Sequence, residues 1–448
     1  MGRFYRRLRC RATGDPCITL TAYSSRTRSV ERFLDVEAAL ARAEADIGLI
    51  PEEAAAEITE KASLEYIDFD DIEQNVADIH LFTMAIIGAW KEQVGEAGEY
   101  IHWGATSQDI SDTAMLLQLR EGYEELMDDL TAIRSALAAL AEEHADTPMI
   151  GRTHHMHAIP ITFGLKAATW LDELDRGIDR LEAVEDRLFA LEFFGATGTL
   201  ASIGEPGLEV QERMADELDL DVPDVAWYAA RDRFAELVSV LATIAGTLSR
   251  IARNVLMMNR PEFEEVKEPI AEGKVGSSTM PHKRNPVKSE ETVALARLIR
   301  GHADVMQELM EPHDERDYST WVAEFAVLPE TFLYTSRMCA HMKTILEDLI
   351  VNPERMAENL EIYGSLVTSE AVMMALAERV GRQTAHDILH EAAMAAIDEG
   401  EDFAAALRDD DRVMEALSEE ELADLTDPMA YTGVSAALTH RALDRTEQ

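Results

Sequence analysis

The chain has 448 residues, 47% of them hydrophobic, and carries 41 Lys+Arg against 86 Asp+Glu, a formal net charge of -45. That length supports a large core in about three domain-sized units, and the apolar content excludes an acidic disordered chain. The charge argues against a nucleic-acid partner, and no apolar run reads as long enough to span a membrane.

From the N-terminus, residues 1–24 read as a basic tail, either disordered or the product of an upstream start codon: Arg3, Arg6, Arg7, Arg9 and Arg11 are followed by no apolar signal core. Cys10, Cys17 and Cys339 make neither a metal or redox pattern nor a disulfide framework. Residues 29–48 space apolar side chains at three to four and end on Gly48, which predicts a helix. Further long helices are expected over 111–145, with Asp112 as a possible cap, and near 160–190, 232–258, 286–311 and 322–350. Their lengths point to an all-α protein built on a long-helix bundle, and no alternation supports a large sheet. After residue 355 the helices shorten and charged turns such as Asp409-Asp410-Asp411 appear. The expected domains are 25–110, 111–354 and a small helical domain over 355–448.

Three polar islands interrupt this pattern. The first is His-Trp-Gly-Ala-Thr-Ser-Gln-Asp-Ile-Ser-Asp-Thr over 102–113. Hydroxyls at a helix N-terminus offer donors to a carboxylate, although an elaborate N-cap explains them equally. The second, 151–164, holds His154, His155 and His157 beside Arg152. His-x-x-His can chelate a metal, but Cys, Asp and Glu are absent nearby, and histidine titrating near neutrality suits proton transfer. The third, Gly-Ser-Ser-Thr-Met-Pro-His-Lys-Arg-Asn-Pro over 276–286, follows Glu-Gly-Lys-Val. Its glycine and prolines forbid a packed helix or strand. Lys267, Lys274, Lys283 and Lys288 make a cationic island suited to anion capture. The alternative is that they only balance Glu264, Glu265, Glu268 and Glu272.

The three islands, in this order on long helices, resemble the fumarase/aspartase superfamily over roughly residues 25 to 440. The resemblance implies a three-domain helical protomer with a catalytic loop at 272–286, and a homotetramer with a 20-helix core whose active sites are shared between subunits. It implies proton abstraction next to a carboxylate, giving an aci-carboxylate that fixed donors and cations must hold. Ser277 is the implied base and Lys283 its electrostatic support. His154 is the implied general acid and Glu290 the carboxylate that orients it. Thr106, Ser107, His102, His80, Asn285, Arg316, Thr153, Arg284 and Ser278 are implied to bind a small anionic polycarboxylate. No metal and no organic cofactor are implied, since neither a Gly-x-Gly-x-x-Gly fingerprint nor a P-loop is present.

Two branches of the superfamily compete. His102–Asp109, the stretch Trp-Tyr-Ala-Ala-Arg-Asp-Arg (227–233) and Asp-Pro-Met-Ala-Tyr (427–431) look most like 3-carboxy-cis,cis-muconate cycloisomerases. His154 and Glu290 are as in adenylosuccinate lyase, which releases fumarate. Trp321, Val322 and Phe325, however, stand where that branch places phosphate-binding hydroxyls and an arginine. Aromatic bulk there suits a smaller substrate. Some relatives are structural crystallins, but the intact acid–base residues argue against a purely structural role. The sequence pI near 4.5 fits a cytoplasmic protein of a salt-accumulating halophile.

Overall fold

The computed structural model describes residues 26–79, 81–270, 280 and 283–446. Four helices, α1 (Arg26–Asp46), α2 (Glu52–Glu60), α3 (Phe69–Ile79) and α4 (Phe82–Val94), precede the long α5 (Ser107–Glu143). A hairpin of β1 (Pro148–Thr153) and β2 (Met156–Thr162) leads into α6 (Phe163–Leu188), followed by α7 (Pro206–Leu218) and α8 (Asp232–Met258). Strand β3 (Val266–Lys267), α9 (Val287–Glu308), α10 (Tyr318–Glu347) and β4 (Ile350–Val351) come next. The chain closes with α11 (Pro353–Leu360), α12 (Ser369–Val380), α13 (Arg382–Glu399), α14 (Phe403–Arg408), α15 (Asp411–Ala416), α16 (Glu419–Leu425) and α17 (Ser435–Thr446). With 17 helices and two two-stranded sheets among the described residues, the protein is all-α, as its periodicity predicts.

Two compact units divide the chain. Among the described residues, the first comprises those of 26–130, 177–246 and 294–340, the second those of 131–176, 247–293 and 341–446. Helices α5, α6, α8, α9 and α10 have residues in both. At 37 residues α5 is about 55 Å long. Its fully buried Leu126, Leu130, Ile133 and Leu137 recur at three and four, the apolar stripe of a bundle helix.

In the first unit α1 buries Phe33, Leu34 and Leu40 and packs on α2 and α7. Trp90 of α4 is also fully buried and donates its Nε1–H to the Lys61 carbonyl at 2.8 Å, which satisfies the one polar atom of its ring. Helix α8 corrects one expectation. It is long and apolar enough by length and composition to cross a membrane, yet 61% of its apolar window is buried inside the protein. Its fully buried Leu237, Leu241, Ile244, Leu248, Ile251 and Val255 recur at three and four, so the apolar run is the core-facing stripe of a packed helix.

In the second unit β1 and β2 pair antiparallel with a register shift between Ile150 and Arg152. A Cβ on Gly151 would lie 2.6 Å from the Ile159 carbonyl oxygen, so the shift needs glycine there. Strand β3 pairs antiparallel with β4, Val266 opposite Val351. Helices α12 to α16 enclose their own small core of Val372, Leu376, Ile388, Leu389, Phe403, Leu407, Val413, Leu417 and Leu422. Ser418 and Glu421 close a reciprocal capping box at the start of α16.

Candidate active site

The first island opens α5, which starts at Ser107, ahead of the expected 111. The reason is Asp109. Its Oδ2 accepts the Thr106 N–H at 2.8 Å, the reach-back arm of a capping box. The same buried carboxylate accepts Phe194 N at 2.9 Å and Gly195 N at 3.1 Å, and the Tyr228 hydroxyl. Burial raises Asp109 to about 6, against the pull of these four donors. Asp109 therefore shapes two backbone segments, 106 and 194–195, at once.

Both segments receive Arg316. Its Nη1 donates to Thr106 Oγ1 at 2.5 Å and its Nη2 to the Ala196 carbonyl at 2.9 Å, with the guanidinium 5.8 Å from the centre of the Tyr228 ring. The structure thus joins two sequence-predicted residues, Thr106 and Arg316, in an exposed cationic cradle at the N-terminus of α5, where helix dipole and guanidinium attract the same anion. Ser107 is half-buried beside them. His102 sits in a left-handed conformation (φ 64) and gives its backbone N–H and Nδ1 to the buried Glu37 at 3.1 and 2.7 Å. Burial opposes charge on this ring, but the Glu37 carboxylate outweighs it and raises His102.

Below the cradle runs a buried ion network. Arg231 donates to Asp112 at 2.8 Å and to Glu324 at 2.9 and 2.5 Å, and its guanidinium lies over the Trp227 and Phe234 rings. Asp112 is thus an interior ion-pair partner inside α5 and no cap. Trp321 also departs from expectation: it is 7% exposed, and its Nε1 donates to Asp112 Oδ1 at 3.1 Å. Periodicity accounts for this, since Thr320, Trp321 and Glu324 point inward while Tyr318, Val322 and Phe325 form the exposed face of α10. Of the three residues Trp321, Val322 and Phe325, the last two are the exposed ones.

In the second unit, the second island is the β1–β2 hairpin. His154 (φ 50) and His155 (φ 66) are its two turn residues, both left-handed, as a two-residue type I′ turn requires. Asn-Gly meets that demand at low cost. Two histidines store strain there, and strained backbone collects at functional sites. Thr153, His154 and His155 are exposed at the tip. His157 stands opposite Arg152 in the ladder and is lowered by burial and by that guanidinium.

From the third island, Lys283 and Arg284 are exposed and Asn285 half-buried. Lys283 N–H bonds the Met280 carbonyl at 3.0 Å, and Val287 N–H that of Asn285 at 2.9 Å. Glu290 is exposed in the first turn of α9. Among the described residues neither His154 nor Glu290 has a side-chain partner within the chain. Charge balance explains only part of the cationic island: Lys267 pairs with Glu264 at 2.5 Å, whereas Glu265 serves Arg152 and Glu268 caps α9. His80, Ser277 and Ser278 lie outside the described residues.

Glu37, Asp109 and Glu268 escaped the reading of the sequence. Asp109 had a legible signal, the Thr-x-x-Asp box of residues 106–109. Glu37 and Glu268 act on partners 65 and about 20 residues away, which no local pattern reveals.

Residues 17–301 match the family model described as Lyase, and 365–442 that described as Adenylosuccinate lyase C-terminus. The N-acetyl-S-(2-succino)cysteine lyase of Dickeya dadantii is 39% identical over 92% of this chain and 91% of its own. The 3-carboxy-cis,cis-muconate cycloisomerase of Bradyrhizobium diazoefficiens is 40% identical over 94% of each. The solved 3-carboxy-cis,cis-muconate lactonizing enzyme of Pseudomonas putida superposes with a TM-score of 0.91, 36% identity and 96% coverage of both chains.

Proposed function

The chain belongs to the fumarase/aspartase superfamily of lyases, and we propose that it is a cycloisomerase-type enzyme acting on a small polycarboxylate such as 3-carboxymuconate. The observation that carries this reading is the Thr106–Arg316 cradle at the start of α5. It offers a hydroxyl, a guanidinium and helix N–H groups to one carboxylate. The apolar Val322 and Phe325 on the exposed face of α10 suit a compact substrate without a phosphate.

In this mechanism Ser277 removes the proton next to the held carboxylate. Lys283 stabilises the alkoxide that does so and the extra charge that develops on the carboxylate. Asn285, Arg284, Ser278, Thr153, His102 and His80 contact the substrate. His154, oriented by Glu290, delivers a proton to the departing or ring-forming group.

A second reading, release of fumarate from a succinyl adduct, is favoured by His154 and Glu290. Breaking a carbon–heteroatom bond needs a proton on the leaving atom, and the strained, exposed His154 supports that role. Purified enzyme in high salt should be assayed on 3-carboxymuconate, adenylosuccinate and N-acetyl-S-(2-succino)cysteine. Lactone formation supports the first reading. Fumarate formation instead overturns it in favour of the second, and turnover of none sinks both.

The proposal includes a homotetramer with shared sites, three domains over 25–110, 111–354 and 355–448, and the cytoplasm of a salt-accumulating halophile as its setting. At a net charge of -45, dialysis to low salt is expected to lower the thermal midpoint and dissociate the oligomer, because unscreened repulsion grows as the Debye length lengthens. An unchanged midpoint and mass in 0.05 M salt (on the order of a 14 Å Debye length) would count against the halophilic setting.

A further inference from the structure

Resting on the acid–base roles proposed above, we infer that the stretch Glu265–Glu268 is a positioning brace. One of its carboxylates fixes the stem of the hairpin that carries His154. The other fixes the turn of α9 that carries Glu290. Glu265 is fully buried and takes a bidentate pair from Arg152 at 2.9 and 2.6 Å, the residue next to Thr153-His154. Asn359 Nδ2 adds a third donor at 2.9 Å. Glu268, 7% exposed, takes Lys288 N at 3.1 Å, Ser289 N at 3.0 Å and Ser289 Oγ at 2.7 Å. The next residue is Glu290.

Only Val266 and Lys267 separate the two carboxylates, and both are held in the ladder with β4. The ends of the stretch are tied as well. Glu265 donates to the Met258 carbonyl at 3.0 Å and accepts Asn352 N at 2.9 Å, and Glu268 N–H donates to Asn259 Oδ1 at 3.0 Å. The stretch is therefore short, rigid and anchored, which is what a support for precise placement requires.

The cap on α9 shows why this is more than helix chemistry. A residue adjacent to Val287 could satisfy the same N–H groups locally. A carboxylate about 20 residues away does so here, which binds the first turn of α9 to the segment that also grips the hairpin. A carboxylate at a helix N-terminus is also electrostatically favoured, and its bonds to N–H donors are strong.

The test compares E268A, E268Q and S277A in the full-length enzyme, on whichever of the three substrates it turns over. E268A should lower kcat about 10- to 100-fold with KM changed less than about threefold, since displacement near 1 Å costs that much. E268Q keeps one acceptor oxygen but turns its NH2 toward one of the two helix N–H groups, so it should recover kcat only in part, a graded value between E268A and the parent that general loss of the fold would not give. Hydrogen exchange of the Lys288 and Ser289 amides, measured without substrate, should quicken at least about tenfold in E268A. Unchanged exchange overturns the tether, and unchanged kcat in E268A overturns the positioning role. The exchange result stands even if the chemistry is misassigned, a failure that S277A reports separately by retaining activity.

Discussion

Ser277→Ala is expected to lower kcat by about a thousandfold or more, with the helical content and the oligomer intact. A proton beside a carboxylate is weakly acidic, and removing it places a second negative charge next to the first. The base must therefore be strong and its surroundings cationic. Serine meets the first condition only as an alkoxide, which the proposed mechanism has Lys283 stabilise. Alanine removes the base and leaves the cradle at Thr106 and Arg316, so KM should change little while kcat collapses. The readout is product formation at saturating substrate, with circular dichroism and mass as controls. Wild-type kcat in S277A would end the proposed mechanism for both substrate readings.

How far the sequence reached depended on whether information was local. Helix α8 was predicted over 232–258 and found there, because its apolar period runs without interruption. The start of α5 was set four residues late because the capping box from Thr106 to Asp109 went unread in favour of Asp112. The hairpin at 148–162 was not foreseen at all. Its turn uses His154 and His155 where Asn-Gly would have signalled it, so the strain that marks the site also hid the strand pairing. Likewise Trp321 was assigned to the substrate side by its position in the chain. Which face of α10 it occupies is decided by a partner 209 residues away, Asp112. The family was legible in short signatures, and the placements built by long-range partners were not.

The same partner set yields the largest expected effect on stability. Arg231 is among the largest fully buried side chains, and its charge is countered by Asp112 and Glu324, both also buried. Burial works against the arginine, but the two carboxylates outweigh it and raise its pKa; burial raises Glu324, with Arg231 pulling the other way. Nearby Glu192 is raised to about 10, by burial first and then by Asp112 and Asp109, with Arg231 and the Trp227 N–H pulling the other way. Arg231→Met keeps the volume and removes the only cation of this set. It should cost about 3–5 kcal/mol in urea unfolding, the penalty for stranding a buried charge. The pH dependence follows. Without Arg231 the folded-state pKa of Glu324 rises further above its unfolded value. A raised carboxyl contributes stability at low pH that is lost as pH climbs through the folded pKa. The deficit of Arg231→Met should therefore be smaller at pH 5 than at pH 8. The triple variant with Asp112→Asn and Glu324→Gln should recover much of it at both. A deficit under about 1 kcal/mol, or one that grows on acidification, would mean that the carboxylates find other counter-charges and that the network does not hold the floor of the cradle.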